Sequence, residues 1–303
     1  MKYTPLTLAR LASDHMRERG IENARLEAEL LLASVLGVSR LDLYLQHDRP
    51  LDGEEVDRFR ELVRRRLRRE PLQYILGEVH FRELVLEVDP RVLIPRPETE
   101  VLVGEVLAWA ERRGAAGGIP ADGLSALDIG TGSGAIILSL AREGPFGKLV
   151  ATDVSADALA VARGNAERCG VAERVEFREG SLWEPLTRGE RFDVVVSNPP
   201  YIAESEREEL QPEVREWEPE TALFAPGDGL AVLAALITGA PSHLEPGGLL
   251  ALEMGADQAD AVVGLVRGAG VYGEPRIVRD LAGRDRIVLA ELVEPRGGER
   301  GSR

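Results

Sequence analysis

The sequence predicts an α/β protein: a doubly wound, mostly parallel sheet preceded by a small helical bundle. Three observations carry this. From about residue 97 onward, apolar strand-like runs alternate with helix-like segments, the pattern of a parallel sheet with helices on its faces. Before residue 70 the apolar residues recur at helical spacing instead. Between them in character, a glycine-rich run from Gly130 to Gly134 stands where a strand meets a helix.

In the N-terminal region, Leu8, Leu11 and His15 give one helical stripe and Leu26, Leu30 and Ala33 a second, while Val56, Phe59, Val63 and Leu67 give a third. Gly20 and Gly37 end the first two helices, and Asp52-Gly53-Glu54-Glu55 is an acidic start for the third. A bundle of about 70 residues is marginal alone and is expected to pack on something larger. Tyr74 to Gly77 and Leu84 to Val88 read as two short strands of a hairpin linker. The expected organisation is a helical domain at 1–71, the hairpin linker at 72–96, the α/β domain at 97–293 and a disordered tail at 294–303.

Within the α/β domain a helix is expected from Glu98 to Arg113, followed by a glycine-rich loop from Gly114 to Gly123. Strands are expected at Leu124–Ile129, Leu149–Thr152, Val175–Phe177, Val194–Val196 and Leu249–Glu253, with helices at Gly134–Arg142, Ala156–Arg168 and Leu230–Ile237. Two closing strands, Arg276–Val278 and Arg286–Leu289, flank the tight turn at 282–285, which argues for one antiparallel hairpin at the sheet edge.

Composition narrows the function. With 44% hydrophobic and 29% charged residues, the chain is a globular protein rather than a disordered one. No apolar run reaches the roughly 18 residues of a membrane span, and the start lacks a signal-type apolar core, so a cytoplasmic protein with no membrane partner is expected. Cys169 is the single cysteine, and His15, His47, His80 and His243 show no ligand spacing, so no metal site is expected. A net charge of −15 is repelled by a phosphate backbone and disfavours direct nucleic-acid binding. The one basic cluster, Arg64 to Arg69, reads as the solvated face of a helix. Nothing demands more than a monomer.

The Gly loop, Asp128-Ile129-Gly130-Thr131-Gly132-Ser133-Gly134, lets a ligand lie on bare backbone. Asp153, at the end of the next strand, stands where an acid holds ribose hydroxyls, while Ser155 is the natural cap for the helix that follows. Asp128 either orients the loop or meets a cationic end of the ligand. Nicotinamide dinucleotides and S-adenosylmethionine (SAM) both fit this much.

Ser197-Asn198-Pro199-Pro200-Tyr201 separates them. Two prolines cannot continue a strand, so the chain leaves the sheet in a rigid turn, with a carboxamide before it and an aromatic ring after it. The Asn198 side chain and the Asn198 and Pro199 carbonyls can accept both hydrogens of a planar NH2 group, with Tyr201 packing against its flat face. No His or Lys stands near these strand ends to move a proton alongside a hydride. A clamp for a planar amine suits transfer of a carbon to nitrogen, and SAM supplies that carbon.

With those motifs in place, the chain resembles the class I SAM-dependent methyltransferases that modify planar nitrogens, and more closely the HemK/PrmC family of peptide chain release factor protein-(glutamine-N5) methyltransferases. The family-specific part is Arg69 to Gly77 and Leu93 to Glu100, supported by Glu218-Pro219 through Asp228-Gly229-Leu230 and by Asp280 to Arg286. The resemblance implies a seven-stranded sheet and SAM contacts at Asp128, Gly130, Thr131, Gly132, Ser133, Gly134, Asp153 and Asn198. It also implies that adenine rests on the Gly180-Ser181-Leu182-Trp183 turn, although Ser181 stands where the family usually has an acid. Arg96 and Glu98 are implied to border the cofactor pocket. Asn198, Pro199, Pro200 and Tyr201 are implied to hold the substrate, a glutamine of a release factor, with Asn198, Pro199 and Tyr201 serving catalysis. The competing readings are an adenine-N6 methyltransferase of nucleic acid and a non-catalytic SAM- or nucleotide-binding module.

Overall fold

The computed structural model describes residues 3–117, 119–120 and 122–293; the tail expected to be disordered, 294–303, lies outside them. The chain divides into two compact units. One comprises Met1–Glu78 with Gln211–Trp217, and the other Val79–Leu210 with Glu218–Arg303.

In the first unit, α1 (Pro5–Glu18), α2 (Ala24–Leu36), α3 (Arg40–Leu45), α4 (Gly53–Leu67) and α5 (Leu72–Leu76) follow one another. Reciprocal capping boxes, Ser39 with Asp42 and Asp52 with Glu55, open α3 and α4 and satisfy N–H groups that a helix start leaves unpaired. The acidic start expected at Asp52 is therefore real. The first two stripes need correction. On α1 the buried line is Leu8, Ala12 and Met16, with Leu11 49% exposed, and on α2 it is Ala24, Ala28, Leu31 and Val35, with Leu26 40% exposed. Leu8 and Ala33 of the expected stripes are buried, but small alanines carry much of the packing, so the faces lie about one residue from where the larger apolar side chains put them. The third stripe holds for Val56, Phe59 and Val63. Tyr74 to Leu76 is helical, not a strand. A five-residue apolar run has too little length to declare its period.

The arginine run also departs from expectation. Arg64 and Arg68 are exposed, but Arg66 is 5% exposed and ion-paired to Glu27 and Glu213. Arg65 meets Glu70, and Arg69 meets Glu213. Arg66 is thus interior structure, because its partners Glu27 and Glu213 are brought from far along the chain, while Arg65 and Arg69 are half-buried.

The second unit begins at the two-stranded sheet of β1 (Glu78–Phe81) and β2 (Leu84–Glu87), in which Leu84 and Leu86 alternate inward. Then come α6 (Pro97–Ala115), β3 (Leu124–Ile129), α7 (Ala135–Glu143), β4 (Phe146–Asp153), α8 (Ala156–Arg168), β5 (Val175–Glu179) and β6 (Phe192–Ser197). After two short helices, α9 (Pro212–Trp217), which belongs to the first unit, and α10 (Glu220–Leu223), the chain runs through α11 (Ala231–Gly239), β7 (Leu244–Glu253), α12 (Ala259–Ala269), β8 (Arg276–Arg279) and β9 (Asp285–Glu291). Helices α9, α10 and α12 were not anticipated. Strand β7 starts ahead of its expected bound and runs through Pro246, where an irregular register between Phe192 and Val194 frees the proline from a ladder bond.

The main sheet has seven strands in the order β5-β4-β3-β6-β7-β9-β8. Its first five strands pair in parallel, and β9 is antiparallel to both β7 and β8, so the expected closing hairpin forms the edge. Apolar side chains bury both faces. One core gathers around Leu102, Ile137, Leu149 and Val194, and the other around Leu127, Val195, Leu236 and Leu250. The chain order reverses between β3 and β6, and in an open parallel sheet that switch point opens a crevice at the carboxyl ends of the strands. Among the described residues no helix is long and apolar enough to cross a membrane.

Candidate active site

Neighbouring strands β3 and β6 end side by side, with Asp128 opposite Val196. The Ser197 hydroxyl donates to the Ile129 carbonyl at 2.6 Å and ties the two ends together. The Gly loop and the Asn198 turn therefore leave the sheet at one place, as the sequence required of two halves of one site.

A cavity of about 420 Å³ opens there, within the 300–1,000 Å³ range of small-molecule sites. Of the residues singled out from sequence, Gly130, Gly132, Asp153, Ser181, Leu182, Pro199 and Pro200 line it. Gly130 and Gly132 hold φ of +74° and +53°, and a Cβ built on either meets nothing within 4 Å. The loop offers bare backbone to open space, which is what a ligand lying on the chain needs.

Asp153 is buried at the end of β4. Its Oδ2 accepts the Gly132 N–H and its Oδ1 the Ser155 N–H, both at 2.9 Å. Burial raises its pKa, and these N–H groups pull it back. The Val154 N–H also faces this carboxylate, which with about four lone-pair sites keeps room for a hydroxyl. Ser155 caps α8 through the Ala158 N–H at 3.1 Å, as expected. Asp128 lies fully buried beneath the loop, outside the cavity lining. Its Oδ2 accepts from Thr131 Oγ1 at 2.7 Å, and its Oδ1 is buried without a hydrogen-bond partner. Burial, with the Asp153 charge adding to it, pushes its pKa up to about 7. Thr131, Ser133 and Gly134 shape the loop without lining the cavity. In the Gly180–Trp183 turn, Trp183 points its indole N–H at the Ala235 carbonyl and stacks on His243, away from the cavity lining. Arg96 is held by Glu218 at 2.5 Å, and neither it nor Glu98 lines the cavity; Arg91, Val92 and Leu93 do instead.

At the turn, Asn198 Nδ2 donates to Thr99 Oγ1 at 3.1 Å, and among the described residues no hydrogen bond engages its Oδ1 or the Asn198 and Pro199 carbonyls. Three acceptors are thus left open. Neither Asn198 nor Tyr201 lines the cavity itself. The Tyr201 hydroxyl donates to Glu253 Oε1 at 3.2 Å, and its carbonyl accepts from Gln258 Nε2 at 2.9 Å. A Cβ on Gly229 would fall 2.0 Å from that carbonyl, so only glycine allows the Asp228-Gly229 turn to approach there. Behind Asn198, the buried Thr99 donates to Glu253 Oε2 at 2.7 Å. Glu253, 1% exposed at the end of β7, has its pKa pushed up to about 7 by burial.

Thr99, Glu253 and the cavity wall of Pro219, Thr221, Ala222 and Phe224 escaped the sequence reading. One signal existed: Glu253 is a lone acid closing the apolar run from Leu249, on the same sheet edge as Asn198. Among the described residues no group of His, Cys, Asp and Glu could hold a metal ion.

Residues 120–260 match the family model of a methyltransferase domain, which gives the class of this fold. The fold also matches the hMettl16 catalytic domain in complex with MAT2A 3'UTR hairpin 6, with a TM-score of 0.55 at 17% identity, covering 73% of this chain and 81% of that one. Residues 7–77 match the PrmC N-terminal domain. The release factor glutamine methyltransferase of Geobacter sulfurreducens is 46% identical over 90% of this chain and 92% of its own length. That of Chlorobaculum tepidum is 45% identical over 89% and 90%. The chain belongs to the release factor glutamine methyltransferase family.

Proposed function

We propose that this protein transfers the methyl group of SAM to the side-chain amide nitrogen (N5) of the glutamine in the Gly-Gly-Gln loop of class I peptide chain release factors, acting as a cytoplasmic monomer. The observation that carries the reading is the trio of unengaged acceptors at Asn198 and Pro199, between Ser197 and Pro200 in a turn whose Ser197, Pro199 and Pro200 line a glycine-floored cavity. The fit to SAM rests on that floor, on the acceptor capacity left on the Asp153 carboxylate and on the unpartnered buried oxygen of Asp128. Gly130, Gly132, Asp153, Ser181 and Leu182 would hold the cofactor, which supplies an electrophilic methyl on sulfur.

An amide nitrogen is a poor nucleophile because its lone pair is delocalised into the carbonyl. By accepting both N–H bonds, Asn198 Oδ1 and the Pro199 carbonyl push electron density back onto nitrogen and stabilise the positive charge that develops there. Their rigid placement, fixed by the two prolines and by the Ser197–Ile129 bond, aims the nitrogen for in-line approach at roughly 3 Å. With SAM bound there, the nitrogen would take the methyl as the S–C bond breaks and would then release a proton to solvent. No base is needed for so acidic an N–H.

The test is transfer of labelled methyl from SAM to purified release factor, its Gln→Ala loop variant, DNA and RNA. Label on the release factor alone is expected. Label on nucleic acid, or label persisting on the variant, overturns the reading.

A further inference from the structure

We infer that Glu253 and Thr99 form a positioning relay that sets which way round the Asn198 carboxamide stands, and so presents its oxygen to the acceptor amine. The inference rests on the proposed role of Asn198 as amine acceptor.

The argument is one of donors and acceptors. An ionised carboxylate accepts hydrogen bonds and donates none. Thr99 Oγ1, at 2.7 Å from Glu253 Oε2, must therefore spend its single hydrogen on that contact. Its oxygen is left only with lone pairs, so the Asn198 atom facing it at 3.1 Å must be the NH2 group. Oδ1 then faces the other way, free of protein partners. The second carboxylate oxygen receives the Tyr201 hydroxyl at 3.2 Å. One buried acid thus fixes the first and last residues of the turn from Asn198 to Tyr201, from a strand neither belongs to.

Protonation reverses the logic. A neutral Glu253 can donate to Thr99, whose hydrogen is then free to meet Asn198 Oδ1, and the carboxamide turns its NH2 toward the substrate. That orientation repels an amine. The groups facing Glu253 are the Tyr201 hydroxyl, Glu98 from the first turn of α6 and Arg286 from β9, itself held by Asp280, while Arg96 faces Tyr201. Burial brings Glu253 to about 7, so both forms are reached under ordinary assay conditions.

The test follows the Asn198 side-chain NH2 signals by nitrogen–proton NMR on the full chain, assigned by their loss in Asn198→Asp. In the wild type they should shift with a midpoint near pH 7 and should not do so in Glu253→Gln. In parallel, Thr99→Val should lower kcat on release factor at least tenfold at saturating SAM with the KM for SAM within twofold, and Thr99→Ser should restore most of that loss. Signals that are flat with pH in the wild type, or that shift alike in Glu253→Gln, overturn the relay; so does equal turnover of Thr99→Val and Thr99→Ser. If Glu253→Gln does not fold, the wild-type titration and the Thr99 pair decide. A wild type that leaves release factor unmethylated while its carboxamide titrates as described would sink the substrate reading and leave the relay standing.

Discussion

Arg66 and Glu213 are separated by 147 positions in sequence and meet at 2.9 Å. The contact draws Gln211–Trp217, a stretch lying downstream of the Asn198 turn, into the N-terminal unit. Arg66 also holds Glu27 at 2.5 Å, so a single guanidinium joins two carboxylates that are themselves only 14% and 16% exposed.

Removing it should therefore be costly. Arg66→Ala leaves the shielded Glu27 without its ion-pair partner and Glu213 with Arg69 alone; breaking a buried pair is typically worth about 3–5 kcal/mol, and denaturant unfolding of the full chain should show a loss toward the lower end of that range. Arg66→Lys should recover only part, because an ammonium cannot serve both acids with a planar fork. Burial pushes the Glu213 carboxyl up, but its own N–H, Arg69 and Arg66 outweigh that and hold it below its usual value. Its contribution is present above roughly pH 4 and is lost as the pH falls through the lowered value. The difference between wild type and Arg66→Ala should shrink in acid; a difference that grows would contradict this account.

The glycine floor gives a second expectation. Gly132→Val puts a β-branched residue at φ +53°, which is strained, and fills space that is open in the folded chain. A Cβ at this position meets nothing within 4 Å, so the fold should survive with a loss of about 1–2 kcal/mol from the backbone strain. SAM affinity measured by calorimetry should fall by at least tenfold. Unchanged affinity would remove the loop from the cofactor site.

How far the sequence could be read depended on whether the signal was local. Strand Leu124–Ile129 and helix Ala156–Arg168 match their expected bounds because an apolar run between glycines and a Ser155 cap are written into adjacent residues. Tyr74 to Leu76 misled because a short apolar run is compatible with either period. The burial of Arg66 was invisible, since both its acidic partners are distant in sequence. The same holds for the site. The Gly loop and Asn198 announce themselves, whereas Thr99 reaches Glu253 across 154 positions, and only the fold brings them together.

Asp128 predicts a pH dependence of stability. Folded, it titrates at about 7, against about 3.9 in an unfolded chain. The folded state holds the proton more tightly, so this stabilisation is full below pH ~4 and is lost as the pH rises through about 7. Glu253 acts in the same sense and over a similar window. The unfolding free energy of the ligand-free protein should fall on going from pH 5 to pH 8. Asp128→Asn, which can still accept from Thr131, should lose part of that slope, on the order of 1.4 kcal/mol per pH unit at most. Stability that climbs over this range, or a slope untouched by the substitution, would show that Asp128 is ionised in the folded protein.

The central claim is that the Asn198 turn activates the acceptor nitrogen and does not hold the cofactor's affinity. The most direct measurement is the turnover of Asn198→Ala on release factor, set beside its SAM dissociation constant. Turnover should fall to background, a loss of at least a hundredfold in line with removal of one preorganised charge-stabilising contact, while the dissociation constant stays within a few-fold of wild type. Near-normal turnover would contradict the mechanism, and a collapse of SAM binding would mean that Asn198 serves the cofactor instead of the amine.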